Sequence, residues 1–276
     1  MTRTIYKTAE GQKSIKDFYN ENLALFPMIK ESYIKTSFGQ TFIVQLGDRK
    51  NPPLLLIHGS GSNSLSWMGE CKNLSATHSV YCIDIPGEPG NSSTERFSTI
   101  GDSFTLWLDE VIKELHIIKP ILGGLSLGGW AAIRYAMDRP ESVQSVIALA
   151  PTGIVKPKSG YLLKMIYYSM RGEKGIRKLM SIMFDGGPVP EAVVQFQLLL
   201  TEHFNYRMDV PTLFADGELS NMSVPFTYVC GREDFIFDGA KAVERLRLLA
   251  PEAKTFLLDK GHAITDISLF LLPKQA

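Results

Sequence analysis

Ile117-Ile118-Lys119-Pro120-Ile121-Leu122-Gly123-Gly124-Leu125-Ser126-Leu127-Gly128-Gly129-Trp130-Ala131-Ala132-Ile133-Arg134-Tyr135-Ala136-Met137 is the stretch that decides the fold. Its apolar beginning reads as a short buried strand, and its end carries apolar residues at helical spacing. Between them stands G-x-S-x-G, Gly124 to Gly128, the sharp strand-to-helix turn that lifts a serine hydroxyl out of a sheet. The glycines have a steric reason: side chains two positions either side of Ser126 would collide where strand and helix nearly touch. The helix start also sets unpaired N–H groups beside the serine, where an oxyanion would form. A solvated serine in a glycine-rich turn is the bland alternative, so partners must be sought elsewhere in the chain.

Working outward, strands and helices alternate. Leu54–Ile57 is a continuous apolar run, as expected of a strand buried on both faces of a parallel sheet. Ser79–Ile85 and Val143–Ala150 are further strands, with an amphipathic helix over Ile100–Leu115. Glu31–Phe38 and Gln40–Leu46 alternate around Gly39 as an antiparallel pair. Residues 1–30 hold a helix over Ser14–Phe26, packed on the body. Val224–Cys230, a helix over Ala240–Leu249 and a strand over Thr255–Leu258 complete the pattern. The expected class is α/β, a mostly parallel central sheet flanked by helices.

Residues 153–219 depart from this alternation. Helices over Tyr161–Met170, Ile176–Phe184 and Glu191–Phe204 form a helical cap inserted in the core, which occupies 31–152 and 220–276. Five of the ten methionines, Met165, Met170, Met180, Met183 and Met208, fall in it. With Leu162, Leu163, Ile166, Tyr167, Phe184, Phe196, Leu199 and Phe204 they are expected mostly to pack the cap on the core. The remainder would face the gap between the two, where thioethers adapt to varied apolar shapes.

Length and composition narrow the class. At 276 residues with 45% hydrophobic content, the chain can bury a large core. Its 29 basic and 29 acidic residues balance, so no single-signed field points to nucleic acid or a membrane. The three cysteines, Cys71, Cys82 and Cys230, suggest neither a metal site nor a disulfide framework. With no apolar leader and no spanning-length run, a cytoplasmic protein is expected.

A serine nucleophile needs a base and an acid to orient it. Asp234 and His262 each directly follow a predicted strand, and the order Ser126, Asp234, His262 is the one used with such an elbow. Taken singly, Asp234 reads equally as a loop acid or helix cap, with Glu233 and Asp238 beside it, and His262 as a turn histidine. His58-Gly59-Ser60-Gly61-Ser62-Asn63-Ser64 reads as an oxyanion loop. It reads also as an incomplete dinucleotide loop, with Asp84 as the ribose-binding acid. His58 itself is expected to shape its loop by hydrogen bonds. Four signals at four strand ends are mutually consistent.

On the His58-Gly59 loop, the Gly124–Gly129 elbow, Gly231-x-x-Asp234 and Gly261-His262, the chain resembles the α/β-hydrolase superfamily. Within it, the similarity is to single-domain esterases with a helical cap, most of all bacillus-type carboxylesterases. The resemblance covers nearly everything from Glu31 on. It implies Ser126 as nucleophile, His262 as base and Asp234 as its partner. It also implies oxyanion donors from the backbone of Leu127 and of Ser60, with Gly61 the alternative. One loop departs from the family pattern: Asp84-Ile85-Pro86-Gly87-Glu88-Pro89-Gly90-Asn91-Ser92 is one residue longer and has an extra proline.

The expected activity is hydrolysis of small carboxylic esters with neutral, apolar acyl groups, through an acyl-enzyme and without metal or cofactor. Within the same fold, C–C bond hydrolysis and perhydrolase or acyltransferase chemistry are the rivals. A ligand receptor that keeps the triad is a rival of another class.

Overall fold

The computed structural model describes residues 4–271. In chain order the elements are α1 (Ala9–Leu23), β1 (Lys30–Thr36), β2 (Gly39–Leu46), β3 (Pro53–Ile57), α2 (Met68–Leu74), β4 (Ser79–Ile83), α3 (Ser103–Glu114), β5 (Ile121–Leu125), α4 (Leu127–Asp138) and β6 (Ser145–Leu149). Then follow α5 (Tyr161–Ser169), α6 (Gly172–Met183), α7 (Glu191–His203), α8 (Asp216–Ser220), β7 (Phe226–Gly231), α9 (Gly239–Leu249), β8 (Lys254–Leu258) and α10 (Ser268–Leu271).

The strands form a single sheet in the order β1-β2-β4-β3-β5-β6-β7-β8. β1 and β2 pair antiparallel, as does β2 with β4, and every other pairing is parallel. Strand order reverses between β3 and β5, so loops diverge there and leave a crevice beyond the strand ends. β3 shows how the sheet is buried. Leu55 and Ile57 face the core formed with α3, α4 and α9, whereas Leu54 and Leu56 face that formed with α1 and α2. A strand covered on both faces has no polar side, hence its unbroken apolar run.

Several boundaries differ from the sequence reading for local reasons. α1 begins five residues earlier than expected, because the Thr8 side chain accepts from the Gly11 N–H and caps a polar first turn. α3 starts at Ser103, after Gly101 at φ 87°, a conformation that no helix contains. The short α8 is too brief to show periodicity. Cys71 and Cys82, apart in sequence, have their sulfurs 3.4 Å apart in the buried core beneath α2.

The α5–α8 segment touches the ends of the sheet at several points. The Ala263 N–H donates to Met183 O at 3.0 Å, and a Cβ on Gly61 would lie 2.8 Å from the Tyr206 ring. Phe18 of α1 stacks on Phe196 of α7 at 5.7 Å. The apolar inventory of the segment divides in an unexpected way. Met180 packs with Ile176, Leu179 and Val194, and Phe204 packs with Ile5, Tyr6 and Ile15. The outer face of α5 turns toward solvent, with Leu163 73% and Met170 83% exposed.

Candidate active site

Ser126 sits between β5 and α4 with φ 53° and ψ −110°, a strained backbone that costs about 1–3 kcal/mol and persists only where its surroundings enforce it. They do so through contact. A Cβ on Gly124 would lie 2.3 Å from the Gly128 carbonyl, and one on Gly128 would lie 2.1 Å from Ile57 O. Only glycine lets α4 sit this close to β3 and β5. The Ser126 side chain does not cap its own helix, and its residue is half-buried, so the hydroxyl remains available. Leu127 is the first residue of α4, so its N–H has no partner within the helix.

The loop after β3 crosses directly over this turn: a Cβ on Gly59 would lie 3.5 Å from Ser126 Cβ. Fully buried His58 holds the loop in place. Its Nε2 accepts from the Ile85 N–H at 2.9 Å, which makes Nδ1 the protonated nitrogen, donating to Gly59 O at 2.8 Å. Both nitrogens are thereby used structurally, as the sequence suggested. Asp84 is equally committed. Its carboxylate accepts from Tyr19 Oη and from the N–H and Oγ of Ser64 on one oxygen, and from the Asn91 N–H on the other. A buried carboxylate with these four donors is not presented to a ribose, which removes the dinucleotide reading of the loop.

Asp234 and His262 meet. His262 Nδ1 lies 2.8 Å from Asp234 Oδ2. The other carboxylate oxygen, Oδ1, accepts from the backbone N–H of Ile236 at 2.7 Å and of Phe237 at 3.0 Å. Both side chains are buried, and the Phe237 ring lies 5.7 Å from the imidazole. With Nδ1 committed, Nε2 is the ring nitrogen left to exchange a proton. The chain beyond His262 returns from the edge strand toward the centre of the sheet, where a Cβ on Gly123 would meet Ile267 Cδ1 at 2.4 Å. The residues after His262 thus run from β8 back across the sheet to β5. Glu233 is exposed, and Asp238 caps α9 by accepting from the Lys241 N–H. Neither rival acid is placed like Asp234.

Burial pushes the Asp234 carboxyl up. The charge and hydrogen bond of His262 and the two loop N–H groups outweigh it, and the group lies below its ordinary value. A depressed carboxylate contributes stability that is fully present above its unfolded pKa of about 3.9 and is lost as pH falls through the folded value. Urea unfolding between roughly pH 6 and pH 3 is therefore expected to show the wild type losing more stability than Asp234→Asn. Equal losses would mean that the carboxylate is not stabilised in the folded state.

One part of the site was not legible in the sequence. Glu88, in the lengthened loop, is buried, and its Oε2 accepts from the Gly61 N–H at 2.7 Å and from Ser60 Oγ at 3.5 Å. Its Oε1 accepts from Nε of Arg207 at 3.1 Å, and both side chains are almost fully buried. Arg207 also donates to Phe97 O and to Asp209. The extra proline contributes too, since Pro89 O accepts from Asn63 Nδ2 at 2.9 Å. The lengthened loop thus grips the loop after β3 from one side, and the segment after α7 holds it from the other.

Known proteins share this fold. A model described as the alpha/beta hydrolase family matches residues 54–271. The chain is 29% identical over 257 residues to the "Uncharacterized carboxylesterase nap" of Bacillus subtilis (strain 168), covering 90% of this chain and 85% of that protein. It is 26% identical over 261 residues to "Carboxylesterase YbfK" of the same organism, covering 90% and 86%. Among solved structures, the naproxen esterase (carboxylesterase NP) of Bacillus subtilis superposes with a TM-score of 0.85 at 26% identity over 96% of each chain.

Proposed function

The chain belongs to the alpha/beta hydrolase family, and from that premise we propose that it hydrolyses carboxylic esters of neutral, apolar acids through an acyl-enzyme on Ser126. The observation that carries this is the buried Asp234–His262 pair at the sheet end that also presents the Ser126 turn. Ser126 Oγ attacks the ester carbon while His262 Nε2 takes its proton. Asp234 holds the tautomer and stabilises the imidazolium. The proton then passes to the leaving alcohol, and water repeats the sequence on the acyl-enzyme.

The developing oxyanion is received by the backbone N–H groups of Leu127 and Ser60. Gly61, the alternative, has its N–H engaged by Glu88, which supports Ser60. A carboxylate adjoining an oxyanion site is unfavourable unless its charge is balanced, and Arg207 balances it here.

The preference for apolar acyl groups rests on the surroundings of the site: Phe237 beside His262, the Tyr206 ring on Gly61, and the half-buried Met183 and Phe184 at the end of α6, whose backbone meets Gly261 and Ala263. Each additional buried methylene is worth about 0.8 kcal/mol, so kcat/KM for nitrophenyl esters should rise about fourfold per methylene until the pocket is full. Acetyl esters cleaved best, or a flat profile, would reject an apolar acyl pocket. Absence of turnover across the whole series would reject the esterase reading itself.

A further inference from the structure

Helix α5 buries none of its residues. At 100° per residue, Leu162, Leu163, Ile166, Tyr167 and Met170 fall in one arc of about 140°. All five are exposed, from 48% at Ile166 to 83% at Met170. The opposite side, Met165 and Tyr168, packs on the cluster of Ile176, Leu179 and Met180. α5 is therefore fixed in orientation and presents its apolar face to the outside. Scattered exposed apolar residues are normal, but a contiguous face on one helix marks an interaction surface.

Charge is concentrated in the same place. Residues 156–178 contain seven lysines and arginines and a single acid, Glu173, in a chain whose 29 basic and 29 acidic residues cancel. Two of these cations border the apolar face. The Arg171 guanidinium lies 5.2 Å over the Tyr167 ring, and Lys164 Nζ lies 6.0 Å over that of Phe235. Arg177 pairs with Glu173 and with Glu191 of α7, so seven cations stand with two acids, a local excess of five that the balanced total conceals.

We propose that the outer face of α5 docks this protein on an anionic lipid surface. An apolar helix face edged with cations gains twice there. The apolar side chains enter the headgroup–acyl boundary, and the cations meet a negative surface potential. A second copy of the chain fits less well, because in a two-fold contact the facing patch is the same patch, which offers cations and no acid over residues 156–172. The docked face also adjoins the catalytic loop. Leu163, Lys164, Tyr167 and Tyr168 line a groove with Ile182 and Phe235, and Phe235 follows Asp234 in the chain. Delivery of apolar esters along this groove rests on the esterase reading above; the docking itself does not, and its test reads binding without turnover.

The test is co-sedimentation of the full chain with phosphatidylcholine vesicles, with and without phosphatidylglycerol. Binding is expected only to the anionic vesicles, and it should weaken as salt is raised. Ile166→Asp/Met170→Asp and Lys164→Glu/Arg171→Glu should each lower partitioning at least about tenfold, with far-ultraviolet circular dichroism and the unfolding midpoint unchanged. No binding to anionic vesicles, equal binding to both vesicle types, or wild-type binding by folded variants would overturn the proposal. So would a dimer in light scattering that Ile166→Asp dissociates, which would assign the face to a second copy.

Discussion

Ser126→Ala is expected to lower kcat for a nitrophenyl ester by about 10⁵- to 10⁶-fold while leaving the unfolding midpoint unchanged. The size follows from chemistry. On the proposed mechanism no acyl-enzyme forms without the hydroxyl, and the residual rate would come from bound ester attacked by water beside the Leu127 and Ser60 N–H groups. The neutrality of the fold follows from the structure. The Ser126 side chain does not cap α4, and its backbone bonds, from its N–H to Leu149 O and from the Trp130 N–H to its carbonyl, are kept by alanine. The backbone strain at φ 53° is the same for serine and alanine. Substantial turnover by the folded variant would require another nucleophile.

Asp234→Asn should lower kcat by about 10⁴-fold with a smaller change in KM. The asparagine carbonyl can still accept from the Ile236 and Phe237 N–H groups, so the loop keeps its shape. The amide –NH₂ would then face His262 Nδ1 as a donor. The ring would be left protonated on Nε2, the nitrogen proposed to accept the Ser126 proton, and its imidazolium would lose its countercharge. Glu233→Gln, at an exposed neighbour, should leave kcat within about twofold. Kinetics with the two effects exchanged would move the acid to Glu233.

The parts of this molecule that the sequence disclosed are those written in short-range pattern. The Leu54–Ile57 run and the Gly124–Gly128 turn state their burial and close approach locally, and both stand in the sheet as read. Asp234 and His262 were suggested by their strand-end positions, their chain order and the family resemblance, and the structure places the two side chains in hydrogen-bond contact. Glu88 and Arg207 gave no such signal. They lie 119 residues apart, and charged residues in loops are ordinarily solvated. Only the fold shows that both are buried and that one of them occupies the Gly61 N–H. α5 misled in the opposite sense. Its apolar residues were read as facing the core or a pocket, because periodicity identifies a face without saying which way it turns.

Covalent labelling tests the central claim most directly. A fluorophosphonate reagent that mimics the tetrahedral intermediate should attach to this protein with one-to-one stoichiometry and abolish ester hydrolysis in step. Peptide mass spectrometry should place the phosphonyl group on Ser126. Asp234→Asn should label far more slowly, and Ser126→Ala not at all. Full labelling of Ser126→Ala, or a modified peptide that does not contain Ser126, would contradict the account.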